Sequence, residues 1–173
     1  VVGRGVGLKT LSLRGFMDKK QEECCPPFDP KPWDGKTLKW KEKKFIKDRV
    51  RSILHIPVNF GQVVIRNMAK MEAAGAKNRE HIMLVDENSL WGADVFISVD
   101  REVPGAEMVT LTGTFLTKVY EGPFKDLGSW TADFKKYVAS KGKDLRQLYY
   151  WYTTCPACAR KYGKNYVVLS ARV

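Results

Sequence analysis

Two short stretches decide the reading of this chain, Leu54-His55-Ile56-Pro57 and Tyr120-Glu121-Gly122-Pro123. Each closes a β-prone run with a proline, which removes a backbone donor and ends a strand. Each is followed by a segment with apolar residues three and four apart, and then by a helix-stopping glycine, Gly75 or Gly142. The same punctuation occurring twice marks an internal repeat.

Working outward from the first stretch, residues 44–56 place Phe45, Val50, Ile53 and Ile56 among charges, as a half-wet strand does. Asn59 can cap a helix running to residue 74, with Val63, Val64, Met68 and Met71 on one face. Residues 81–86 and 93–99 form a strand pair around a turn at 87–92. Outward from the second stretch, residues 111–120 are rich in Thr, Val, Phe and Tyr, hence a strand. Residues 124–140 carry Leu127, Trp130, Phe134, Tyr137 and Val138 at helical spacing. Strands at 148–153 and 166–173 follow, separated by a loop at 155–164.

The expected fold class is therefore α+β. It is a duplicated β-α-β-β repeat forming an antiparallel sheet with two helices packed on one face, plus an irregular N-terminal extension. Residues 1–43 read as a leader and wrapping extension, because Pro26, Pro27, Pro30 and Pro32 block regular structure there. Phe28, Trp33 and Trp40 are its expected anchors. Residues 44–173 form the domain, with one half at 44–103 and the other at 104–173. Two similar halves meeting about an approximate two-fold axis leave a cleft at their seam.

Composition supports a single packed domain. The chain has 173 residues, 44% hydrophobic, 28% charged and 12% aromatic, which excludes disordered and fibrous classes. The net charge of +11 would attract anionic partners, but the densest basic run, residues 36–51, alternates like the wet face of a strand. Zinc-finger spacing, a glycine-aromatic RNA signature and a helix-turn-helix are all missing from the sequence, so nucleic acid is not the expected partner. No apolar run reaches the roughly 18 residues of a membrane helix, and the N-terminus lacks a signal peptide. The expected location is cytoplasmic, as a monomer or as a homodimer paired through a sheet edge.

Residues 100–173 resemble the GyrI-like small-molecule-binding domains. The resemblance is carried by Val103-Pro104, Leu111 to Gly113 with Phe115, and Tyr120-Glu121-Gly122-Pro123-Phe124. It continues in Lys141-Gly142, Tyr150-x-Tyr152, Pro156 and the last strand. It implies an aromatic ligand pocket between the halves. Many drug-binding members carry a glutamate two residues before the tyrosine, where this chain has Tyr150. Cys24-Cys25-Pro26-Pro27-Phe28-Asp29-Pro30, Tyr152-Thr153-Thr154-Cys155-Pro156-Ala157-Cys158-Ala159 and Tyr162-Gly163-Lys164-Asn165-Tyr166 look like a group of stand-alone bacterial proteins labelled hydrolases.

The repeat makes His55 and Glu121 counterparts aimed at the same cleft. An imidazole and a carboxylate beside an apolar pocket can work as acid and base, so both are candidate catalytic residues. Trp91, Phe96, Tyr120, Trp130, Tyr150 and Tyr152 are candidate ligand-binding walls, since planar molecules stack on such rings. The expected ligand is a small aromatic or hydrophobic molecule, with hydrolysis as the candidate reaction and no cofactor. The alternative is a thiol protein. Cys155-x-x-Cys158, with Cys24 and Cys25 folded back, would hold zinc or cycle between redox states.

Overall fold

The computed structural model of the protein describes residues 25–53 and 56–173. Its strands are β1 (Lys36–Ile53), β2 (Ile56–Pro57), β3 (Met83–Ser89), β4 (Gly92–Ser98), β5 (Glu107–Glu121), β6 (Gln147–Tyr152) and β7 (Tyr166–Arg172). Its helices are α1 (Phe60–Ala73), α2 (Leu127–Ser140) and the short α3 (Pro156–Tyr162), and a 3-10 turn at Phe124–Asp126 leads into α2. The architecture is α+β, and the β-α-β-β order occurs twice, with α3 inserted before the last strand.

All strand pairs are antiparallel, in the order β2-β1-β4-β3-β6-β7-β5, and β1 also pairs with β5. That last pairing closes β1 and β3–β7 into a barrel. Strand length makes it feasible. β1 has 18 residues and β5 has 15, so each borders two partners, and Phe45 lies between Ser98 and Val109. Exchanging β1 with β5, β4 with β7 and β3 with β6 maps the six-stranded barrel's pairings onto themselves, with the β1–β2 pairing left over, which is the approximate two-fold of the duplication. The sheet edge expected to pair with a second copy is thus consumed inside the molecule, leaving β2 as a two-residue stub.

Alternation along the strands assigns their two faces. Phe45, Leu84, Phe96, Phe115, Tyr149 and Trp151 form one buried cluster inside the barrel. Ile46, Val50, Val85, Val95 and Ile97 face outward and meet Val63 and Met71 of α1. Leu116, Val167 and Leu169 face outward against Phe134 and Val138 of α2. Helical spacing puts these contacts on one stripe of each helix. Polar bonds add to the packing on α1, where Asp48 of β1 accepts from Arg66 Nε (2.8 Å) and from buried Asn67 (2.6 Å).

Several boundaries differ from the sequence expectation: β3 runs to Ser89, into the stretch expected as a turn, and β5 begins at Glu107 rather than at residue 111. The first strand begins at Lys36, well before residue 44. A bulge between Trp40 and Lys43 breaks the alternation that the sequence reading relies on, with Glu42 at φ 48° and its N–H donating to Thr112 Oγ1 (2.9 Å). Residues 155–164 hold a helix rather than a plain loop. Cys155 caps it, Pro156 starts it and Gly163 ends it at φ 65°. Ahead of β1, Phe28 and Trp33 pack edge-on against Trp151 at 5.4 and 4.9 Å, whereas Trp40, expected as a third anchor of the extension, lies within β1 and sits 4.3 Å from Phe115.

Candidate functional site

A cavity of about 630 Å³ lies on the outer face of the barrel. Its floor is the outward side of β3 and its neighbours, including Val50, Met83, Val85 and Ala93. One wall is α1, through Phe60, Val64, Ile65 and Met68; the other is Phe124, Leu127 and Tyr152. Both walls follow from the same local rule. Each is what an apolar stripe packed on the barrel leaves beside it: a flanking row of α1 on one side, and the 3-10 turn, the start of α2 and the end of β6 on the other. The floor runs to the β3–β6 junction, where Val85 pairs with Tyr150 and half one meets half two.

The lining is mostly apolar, and Glu87 is its one carboxylate among the described residues. Glu87 lies on the same face as Met83 and Val85, by strand alternation. Its Oε1 accepts a hydrogen bond from the Tyr152 hydroxyl at 2.7 Å. Burial, and then the Glu87 charge, push the Tyr152 phenol far above its usual range, so it keeps its proton. The Tyr152 ring stacks on that of Tyr150 at 6.4 Å with an interplanar angle of 13°. The Tyr150 hydroxyl bonds Thr131 of α2 at 3.1 Å, which ties the pair to the helix. Phe124 meets Tyr152 edge-on at 5.6 Å.

At the end of the cavity where β6 gives way to α3 stand Cys25, Pro26, Cys155 and Pro156. The sulfur atoms of Cys25, Cys155 and Cys158 lie within 4.8 Å of one another, a cluster able to coordinate a metal ion. The Cys155 N–H points at Cys25 Sγ (3.3 Å) and the Cys158 N–H at Cys155 Sγ (3.5 Å). The Tyr162 hydroxyl donates to the Cys25 carbonyl at 2.6 Å and holds the extension against α3.

The residues expected from sequence are distributed around this site. Tyr152 lines the cavity and Tyr150 stacks behind it. Phe96 lies inside the barrel, 5.7 Å from Tyr149. Tyr120 and Trp130 stack on each other at 5.6 Å, with the Tyr120 hydroxyl bonded to Asp133 of α2 at 2.7 Å. Trp91 is 65% exposed at the β3–β4 turn. Glu121 is exposed at the end of β5, opposite Tyr166, and does not line the cavity. His55 and Cys24 lie outside the described residues. Glu87 is not among the residues expected from sequence because residues 87–92 read as a turn there. Extending the period of Met83 and Val85 by one more step would have found it.

These features define a closed α+β barrel built from two repeats, with an apolar cavity at their junction and a thiol cluster beside it. The chain belongs to the bacterial hydrolase family, whose model matches residues 16–173. Among solved structures, two of hydrolases from Listeria innocua are similar in fold. Each is 12% identical at a TM-score of 0.54; they cover 79% and 81% of this chain and 90% and 92% of their own. An uncharacterized conserved protein from Listeria innocua matches at a TM-score of 0.53 and 12% identity, covering 79% of this chain and 90% of its own. No curated protein matches the chain.

Proposed function

We propose that this protein binds a small aromatic or hydrophobic molecule in the junction cavity and hydrolyses it, in the manner of a GyrI-like domain. The observation that carries the reading is a roomy apolar hollow containing a single carboxylate–phenol pair. The volume suits a drug-sized ligand, and few, well-placed polar groups set its orientation. Tyr152, Phe124 and the α1 side chains would hold the apolar body. Glu87 would take a proton from water as the water oxygen bonds to an electrophilic carbon of the ligand. The bond to the leaving group breaks, and that proton passes to the departing atom. Tyr152, keeping its proton, orients the carboxylate. Membership of a family named for hydrolases supports the reaction class. Electrophilic ligands are favoured over organic cations, because Tyr150 stands where cation-binding relatives place a glutamate.

The test is a screen of planar electrophilic compounds by intrinsic fluorescence quenching, followed by product detection. Glu87→Gln is expected to lower turnover at least about 100-fold while binding changes little. Val64→Trp, which fills the cavity from α1, is expected to abolish binding. Glu121→Gln serves as the comparison and is expected to behave as the parent chain. A ligand whose binding survives Val64→Trp, or turnover unaffected by Glu87→Gln, rejects the assignment.

A further inference from the structure

We propose that Cys25, Cys155 and Cys158 bind one zinc ion, which fastens the N-terminal extension to the cavity rim. This inference does not rest on the ligand reading. Three sulfurs from two distant parts of the chain converge within 4.8 Å. Thiolates sharing one zinc sit about 3.8 Å apart, given zinc–sulfur bonds of about 2.3 Å in tetrahedral geometry. Sub-ångström side-chain adjustments close that gap. A dithiol redox pair would need two sulfurs, whereas here a third, from the extension, completes the cluster.

Two backbone N–H groups are directed at the sulfurs of Cys25 and Cys155 and hold them in place. Cys155 precedes Pro156 and caps α3, so the Cys155–Cys158 loop is fixed before any ion arrives. Cys158 is 6% exposed, and the Tyr162 bond to the Cys25 carbonyl positions the third sulfur. An all-sulfur donor set selects a soft or borderline ion such as zinc over magnesium or calcium. Binding exchanges thiol protons for the ion, each proton leaving to buffer.

The consequence is mechanical. Cys25 lines the cavity and leads into Phe28 and Trp33, which pack on Trp151. An ion at the cluster therefore fixes one end of the hollow.

The experiment uses the full chain, purified under reducing conditions without added metal. It is then titrated with zinc and, separately, with cobalt as a spectroscopic probe. About one equivalent per chain is expected, with a thiolate-to-cobalt charge-transfer band that zinc displaces. Zinc should protect the cluster from a thiol reagent, and a chelator should restore the reaction and lower Tm. Magnesium should do neither. Cys25→Ser, Cys155→Ser and Cys158→Ser should each cut the bound metal several-fold. Because such variants can fail to fold, the cobalt spectrum and thiol protection of the parent chain stand as the primary readouts. Absence of the charge-transfer band, or a Cys155–Cys158 disulfide forming in the presence of saturating zinc, overturns the proposal. So does unchanged stoichiometry in folded Cys155→Ser protein.

Discussion

Asp48 shows how a single side chain holds one wall of the cavity. It accepts from Arg66, from Asn67 and from the Arg49 N–H (2.8 Å). The Arg66 bond comes first among the causes that hold its carboxyl down at about 2, followed by the Asn67 and Arg49 bonds. Asp48→Ala would leave Asn67, which is 1% exposed, with Val63 O as its remaining partner. The expected cost is about 2 kcal/mol, measured by chemical denaturation. The pH dependence has a fixed sign. A depressed carboxyl stabilises the fold above its unfolded value near about 4, and the contribution disappears as pH falls toward about 2. The gap between parent and Asp48→Asn should therefore narrow across that interval; a gap that stays constant would rule out the charge as its source. At this scale the sequence was only partly legible. Tyr150, Tyr152 and the three described cysteines were chosen from it and stand at or beside the cavity. Glu87 was not, because a charge at a strand end looks the same as a charge in a turn. The partner that distinguishes them, Tyr152, is 65 positions away.

Elements were more legible than their boundaries. Both long helices follow from apolar spacing closed by glycine, and the β-α-β-β order follows from the two proline breaks. Helix α3 was hidden by its shortness, although its cap, proline and terminal glycine are all present in the sequence. Barrel closure was not legible, since alternation gives the face of a strand but not its neighbours. The tight β3–β4 turn illustrates an element-level constraint. A Cβ on Gly92 would lie 2.7 Å from the Val50 carbonyl oxygen, a backbone atom with little room to retreat. Gly92→Ala should cost about 2 kcal/mol or more by overpacking. The measurement is the denaturation midpoint at unchanged m-value, and a shift of less than about 0.5 kcal/mol would mean that β1 and β4 separate more readily than their register suggests.

For the whole molecule, the net charge of +11 is partly balanced by local pairing, as where Lys47 and Arg49 meet Asp94 at 3.4 and 3.0 Å. The fold's main device is the ring itself. Neither half can complete it alone: residues 36–103 would carry β1 and β3 with no β5 and β6 beside them, and residues 104–173 the reverse. Each fragment expressed separately is expected to be insoluble or self-associating. Mixed during refolding, the two should assemble one-to-one, seen as a single complex by size-exclusion chromatography with far-ultraviolet circular dichroism like that of the intact chain. Separate, well-behaved monomers would contradict the closure. A ring joined in this way ties the fate of each half to the other, so a lesion that unfolds residues 36–103 is expected to strip β5 and β6 of their neighbours as well.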